Sequence, residues 1–357
     1  KFAKSKESEI YKAWAWGNYK YQSKSKKNLL YVKEQKELEF LTFYSDCMNF
    51  SRDLINSPAN KLNPSTYYSK IKNNNLFKSF NFIDYTEKEI NSNFPLTCAV
   101  GKSSSSKPKV IEITNRKLSK KDKPLVIIGK GVTFDTGGVN IKPGTSMRNM
   151  KKDMGGSAIA ISLFLLANYF LKKTKIVLIA PIAENAISSK SMRPGDVYSS
   201  VSGKSVEIAH TDAEGRLLLA DAIEKASSYN PCMIIDFATL TGAARVALGE
   251  DLPAYFCNNE TFAKKIENLN KEKLRCWRLP LYSPYLFKIK SQVADLSNAS
   301  LDGMAGSITA ALFLQEFLKS PNIPWFHFDT FAWSQDSKGA ALQGLDIMSD
   351  FLRKNFN

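Results

Sequence analysis

With 357 residues, 43% of them hydrophobic, the chain suffices for one large domain or two smaller ones and can bury a sizeable core, which excludes a disordered polymer. Fifty Lys and Arg against 34 Asp and Glu give a net charge of +16, but only nine of the basic residues are Arg, so the balance reads as a solvated lysine-rich surface more than as a bidentate phosphate-reading patch. Five scattered cysteines without a CxxC pair argue against a disulfide framework or thiolate zinc site and fit a reducing cytoplasm, and two histidines, His210 and His327, leave no HExxH helix or His-rich zinc site.

The sequence opens at Lys1 with no charged-then-apolar leader pattern. Residues 1–44 are lysine-rich with aromatic interruptions (Trp14, Trp16, Tyr19, Tyr21) and read as the tail end of a domain. Over 40–55 the apolar residues Leu41, Phe43, Met48, Phe50 and Leu54 fall at helical spacing, and Ser57-Pro58 stops the run. A linker helix over 45–57 is therefore expected to lead into a main domain over 58–357. Beyond residue 60, strands are expected over 125–128, 175–181, 233–237 and 325–331, with helices over 155–172, 212–227, 308–318 and 345–353. This alternation predicts an α/β fold, a three-layer sandwich with a largely parallel mixed central sheet flanked by helices. The longest apolar run, 159–171, contains Asn168 and falls short of the roughly 20 residues of a membrane span, so it reads as a buried helix and no membrane partner is expected.

Ligands of α/β sheets gather outside the carboxyl ends of strands, which directs attention to the segment after residue 128. There Gly129, Gly131, Gly137 and Gly138 permit tight turns that would place Lys130, Asp135 and Lys142 on a compact irregular loop. The spacing of a phosphate-binding GxxxxGK[ST] loop is absent. A second acid, Asp153, sits just ahead of a helix start, where a plain helix-terminal acid is the simpler reading. In a third cluster, Asp212, Glu214 and Arg216 crowd charge beside an apolar helix; one acid can cap the helix, and a metal ion gives the others a partner. Four carboxylates beside glycine-rich turns suit a hard or borderline divalent pair, Mn²⁺, Mg²⁺ or Zn²⁺, able to hold and acidify a bridging hydroxide. Lys142 and Arg216 would add fixed positive charge for a developing oxyanion.

Gly129-Lys-Gly-Val-Thr-Phe-Asp-Thr-Gly-Gly, Lys152-Asp-Met-Gly-Gly and Thr211-Asp-Ala-Glu-Gly-Arg-Leu-Leu-Leu-Ala-Asp resemble the signature segments of the leucyl (cytosol) aminopeptidase family of two-metal exopeptidases. The likeness continues through Arg52-Asp-Leu-Ile-Asn-Ser-Pro-Ala-Asn, Glu184-Asn185, Arg193-Pro-Gly-Asp-Val197, Ala238-Thr-Leu-Thr-Gly-Ala243 and Ala305-Gly-Ser-Ile-Thr-Ala-Ala311. It covers the chain from about residue 45 onward. The resemblance implies that residues 1–44 are a remnant or reduced form of a smaller N-terminal α/β domain. It implies that Lys130, Asp135, Asp153 and Glu214 hold a tight ion, and that Asp135, Asp212 and Glu214 hold a second, more exchangeable one. Lys142 would stabilise the oxyanion, and Arg216 would hold a bicarbonate ion serving as general base. The free N-terminus of a peptide would bind at the inner ion, Leu240 and Gly242 would position the peptide, and Met147, Met150, Thr239 and Gly242 would line a pocket preferring leucine and other apolar residues. A homohexamer is implied as well.

Two segments depart from the family pattern: His210 stands where Asn is usual, and His327-Phe-Asp-Thr-Phe-Ala-Trp333 replaces the commoner Asp-Ile-Ala-Gly form. His327 reads as structural, and His210 as a core or hydrogen-bonding residue or one touching the bicarbonate or metal environment. Competing with the aminopeptidase reading are a DNA-binding or architectural role favoured by the net charge, and a two-metal amidase acting on blocked substrates.

Overall fold

The computed structural model describes residues 4–22, 32–335 and 339–356. Its strands in chain order are β1 (Asn81–Ile83), β2 (Lys109–Thr114), β3 (Leu125–Gly129), β4 (Gly131–Asp135), β5 (Ile176–Asn185), β6 (Val197–Ser199), β7 (Ser205–Glu207), β8 (Met233–Ala238), β9 (Ala254–Cys257), β10 (Trp277–Arg278), β11 (Leu296–Ser297), β12 (Trp325–Asp329), β13 (Trp333–Ser334) and β14 (Gly339–Ala340). Nine of them form one sheet in the order β1-β2-β5-β3-β8-β12-β9-β10, with β4 also paired to β5. At its centre β3 runs parallel to β5 and β8, and β8 parallel to β12. Antiparallel pairs β1/β2, β2/β5 and β9/β12 lie toward the margins, so the sheet is mixed and largely parallel, as the alternation of elements predicts.

Period-two side-chain alternation divides the core into two layers. Leu125, Ile127, Leu178, Ile235, Phe326 and Phe328 face the cluster containing the helices Gln35–Asn56, Gly155–Phe170 and Leu345–Asn355. Val126, Ile128, Val177, Ile179, Ile234 and Trp325 face the cluster containing the helices Gly215–Ser227 and Gly306–Gln315. Strands covered on both faces need no polar alternation, which is why they read as continuous apolar runs. The apolar stretch expected over 159–171 is the buried helix Gly155–Phe170. By length and composition Met150–Phe170 could cross a membrane, but it lies mostly buried inside the protein.

One expected strand ends too early in the sequence reading: β5 continues past Pro181 to Asn185. β3 and β4 follow β5 in a single register, Ile128 opposite Ile179 and Gly131 opposite Ile182. Between them the ladder is interrupted at Lys130, level with Pro181, which has no amide hydrogen to donate, so the proline is tolerated. The Lys130 amide instead donates to the Phe237 carbonyl at 3.0 Å, and its carbonyl accepts from the Ser157 amide at 2.8 Å. That break puts Lys130 at the carboxyl end of the sheet.

At the amino-terminal side the helix Lys4–Gly17 lies against Gln35–Asn56. Buried Arg52 ties them together: its Nε donates to the Ala340 carbonyl and its Nη1 to the Trp16 carbonyl, both at 3.1 Å, while its guanidinium lies 3.9 Å from the Tyr19 ring centre and 4.4 Å from that of Trp16. The boundary expected after residue 44 falls inside the continuous Gln35–Asn56 helix. Of the reduced N-terminal unit expected over 1–44, the stretches 1–3 and 23–31 lie outside the described residues.

The Gly155–Phe170 helix approaches β3 so closely that a Cβ on Gly129 would lie 2.3 Å from Ser157 Cα and 2.8 Å from the Gly156 carbonyl oxygen. Backbone on both sides cannot yield cheaply. Gly129→Ala is therefore expected to destabilise the fold by about 1–3 kcal/mol, read as a lowered denaturation midpoint, whereas Gly144→Ala, with nothing within 4 Å of the added Cβ, leaves the midpoint in place.

Candidate active site

Six charged side chains meet at the carboxyl ends of the central strands. Lys130 Nζ lies 2.8 Å from Asp153 Oδ2 and 3.0 Å from Glu214 Oε1, and also donates to the Thr239 carbonyl at 2.8 Å. Lys142 Nζ lies 2.9 Å from Asp135 Oδ2 and contacts Asp212 Oδ1. Thus all five expected metal ligands and Lys142 come together in space.

Local structure explains how each arrives. The register of β4 on β5 shifts between Val132 and Asp135, a bulge that re-aims the last residue of the strand. Asp135 Oδ1 is then fixed by the Gly137 amide at 2.9 Å and Asn185 Nδ2 at 2.8 Å. The loop expected to carry Lys130, Asp135 and Lys142 is thus only partly a loop: Asp135 ends a buried strand, Lys130 sits at the strand break, and Lys142 alone lies on irregular chain. Asp153 belongs to the 3-10 turn Met150–Met154 that precedes the Gly155–Phe170 helix, and no side chain caps that helix. Its carboxylate instead faces Lys130 and accepts from Thr239 Oγ1 at 2.8 Å, so the plain helix-acid reading does not hold. The helix expected from residue 212 begins at Gly215. Asp212 and Glu214 occupy the turn before it, and Gly215 is required there because a Cβ would lie 2.5 Å from Lys130 Cε.

Arg216 is buried, its Nε and Nη1 have no hydrogen-bond partner, and its guanidinium lies 6.0 Å from the Phe313 ring centre. Met147 and Met150 are half-buried on the segment joining Lys142 to Asp153. Leu240 is half-buried between β8 and the helix Gly242–Leu248, whose first residue is exposed. Thr239 is 7% exposed, and its hydroxyl is committed to Asp153. His210 is not a core residue: it is exposed, and its Nδ1 accepts from the Asp212 amide at 3.2 Å. His327 is fully buried, 2.5 Å from Asp236 Oδ1, whose other oxygen accepts from Trp325 Nε1 at 2.6 Å.

Sequence reasoning missed the residues that hold these groups in place. Asp329, at the end of β12, accepts from the amides of Leu240 and Thr241 at 3.2 and 3.1 Å and from the hydroxyls of Thr241 and Ser307 at 2.6 and 3.1 Å. Asn298 accepts from the Ala209 and His210 amides and donates to the carbonyls of His210 and Ala213. Asn185 donates to the Thr211 carbonyl as well as to Asp135. The available signal was a polar residue at the end of an apolar strand, in Asp329 and Asn185; Asn298 carried none.

Burial drives the Glu214 carboxyl well above its ordinary range and Asp212 up to about 7, with the Asp135 charge acting in the same direction. For Lys130 and Lys142 burial acts to release the proton, but the surrounding carboxylates outweigh it and raise both. Burial lowers Arg216 to about 10. Asp135, Asp212 and Glu214 each offer an oxygen within 4.8 Å of the others. Asp153 Oδ2, Asp212 Oδ1 and Glu214 Oε1 are buried without a directed hydrogen bond, held only by ammonium charge. Oxygen donors of this kind fit divalent Mg²⁺, Mn²⁺ or Zn²⁺.

Residues 49–348 match the cytosol aminopeptidase family, catalytic domain. A probable cytosol aminopeptidase of Syntrophotalea carbinolica is 38% identical over 295 residues, covering 82% of this chain and 59% of that protein, so the chain spans little more than half the length of such a relative. The crystal structure of a cytosol aminopeptidase from Coxiella burnetii superposes with a TM-score of 0.88 at 38% identity, over 98% of this chain and 78% of that one. The bottromycin maturation enzyme BotP in complex with Mn superposes at 0.87 with 28% identity, over 98% and 79%.

Because Asp212 binds its proton more tightly folded, at about 7, than at its ordinary 3.8, its contribution is present at low pH and lost as pH rises through about 7. In chelator, the thermal midpoint of the wild type is expected to fall relative to that of Asp212→Asn between pH 4 and 7. Parallel curves would contradict the assignment.

Proposed function

Because the chain belongs to the cytosol aminopeptidase family, we propose that it is a metal-dependent aminopeptidase removing N-terminal residues, leucine and other apolar ones preferred, from peptides. The observation that carries this reading is the crowded set of Asp135, Asp153, Asp212 and Glu214, three of them buried, ion-paired only to Lys130 and Lys142 among the described residues. Residues 58–357 would be the catalytic domain, 45–57 the linker helix and 1–44 a reduced N-terminal domain.

In this reading Lys130, Asp135, Asp153 and Glu214 hold one divalent ion and Asp135, Asp212 and Glu214 the other; manganese is supported by the BotP complex, with zinc and magnesium as alternatives. When bound, the ions acidify water and polarise a carbonyl, and bicarbonate on Arg216 supplies a general base. The carboxylates must give up their protons and Lys130 its own for this set to form, so binding releases protons. Asn185 and the Gly137 amide keep Asp135 in place, and Thr239 does the same for Asp153. Lys142, 15% exposed against 3% for Lys130, is the cluster's more accessible cation; it would donate to the scissile carbonyl oxygen as negative charge grows there. The unpartnered Arg216 nitrogens suit a small planar anion, which explains why no protein base is needed. Leu240, held by Asp329 through its amide, and Gly242 would align the peptide, beside a wall formed by Met147, Met150 and Thr239. Family membership supports a homohexamer, and five unpaired cysteines with the relatives' cytosol name support a cytoplasmic setting.

Hydrolysis of leucine p-nitroanilide in Mn²⁺ or Zn²⁺ is the test. Activity is expected on the free amine and not on its N-acetyl form, abolished by chelation and by Asp212→Ala. Lys142→Ala is expected to lower kcat by about 10²–10³. Equal hydrolysis of the acetylated compound would point to an amidase.

A further inference from the structure

Two cations beside the site make no ion pair with the cluster described above. Phe331, two residues beyond β12, is half-buried. Lys152 Nζ lies 4.3 Å from its ring centre, and the guanidinium carbon of Arg245 lies 4.9 Å from it. Lys152 immediately precedes Asp153 and is 5% exposed; Arg245 is exposed on the helix that Gly242 begins. Among the described residues neither side chain makes an ion pair or a hydrogen bond, in contrast to Lys130 and Lys142, each shared by two carboxylates.

The acids at hand are largely committed elsewhere: Asp153, whose charge acts on Lys152, is paired with Lys130 and accepts from the Thr239 hydroxyl. Asp329 is filled by two amides and two hydroxyls. Glu250 lines a cavity of about 20 Å³ with Arg245 and Phe331, but its carboxylate accepts from Gln335. An aromatic face holds a cation by its electron density without neutralising it. Phe331 thus holds two like charges, 4.3 and 4.9 Å from its ring centre, one of them removed from water and repelled by the other, and a carboxylate is the group that would relieve both.

We infer that Lys152 and Arg245, steadied by Phe331, receive a carboxylate of the substrate next to the reaction centre. The inference rests on the aminopeptidase reading and sharpens its substrate class. The carboxylate has two sources: the side chain of an N-terminal Glu or Asp, which would replace the apolar preference proposed above, or the C-terminus of a dipeptide, which would leave that preference standing.

The experiment compares kcat/KM for glutamyl against glutaminyl p-nitroanilide, and for Leu-Ala against Leu-Ala amide, in the metal-loaded wild type, Arg245→Gln, Arg245→Lys and Lys152→Met. One of the two ratios is expected to favour the charged member by about tenfold or more, to collapse toward unity in Arg245→Gln and Lys152→Met, and to survive to some extent in Arg245→Lys. The first ratio identifies a side-chain carboxylate and the second a terminal one. Arg245 is exposed, so its variants test the idea even where Lys152→Met fails to fold. Ratios near unity in the wild type, or a preference untouched by Arg245→Gln, overturn the inference while leaving the aminopeptidase reading intact. Hydrolysis of none of the four compounds overturns both.

Discussion

Four carboxylates, three of them buried and Asp212 partly exposed, can crowd together at the end of this sheet only because buried Lys130 and the partly exposed Lys142 sit among them. Lys130 spans Asp153 and Glu214, and Lys142 spans Asp135 and Asp212. Removing either cation leaves uncompensated charge in a low-dielectric interior, a loss far larger than that of a surface ion pair. Even with both present the balance is incomplete, since Glu214 and Asp212 are held above their ordinary range by burial. The arrangement is poised to exchange protons for divalent cations.

Much of the surrounding backbone follows from bringing Lys130 to that point. The ladder between β3 and β4 opens at this residue, opposite a proline that has no hydrogen to contribute. Gly215 clears space for its side chain, and the first turn of the Gly155–Phe170 helix receives its carbonyl. Around the charged set, Asn185, Thr239, Asn298 and Asp329 spend their hydrogen bonds on loop backbone or on the carboxylates. The parts of the site that lie on loops are thereby tied to the strands and turns around them.

The α/β layering was legible in the sequence because the central strands are buried on both faces and alternate with apolar helices, leaving runs such as Leu125 to Ile128 with no rival reading. The charged residues were legible too, since Asp, Glu and Lys next to glycine turns are poor core material without a partner. Element ends were less so. The expected end of β5 at Pro181 leaves out its last four residues, because the interrupted neighbouring strand that accommodates the proline is visible only in three dimensions. Asp153 resembled an ordinary helix acid because its partner, Lys130, lies 23 residues away in sequence. Asn298 and Asp329 stayed invisible as supports, for their roles depend on loops far along the chain. Phe331 was noticed only as one residue of an unusual segment; its two cations come from separate elements.

In the proposed function the carboxylate cluster would hold two divalent ions of unequal affinity. Calorimetric titration of the chelator-stripped protein with Mn²⁺ at neutral pH measures it directly. Two sites per chain are expected, with the weaker one lost in Asp212→Ala and the tighter one retained. Absence of binding, or a stoichiometry that the substitution does not change, would contradict it.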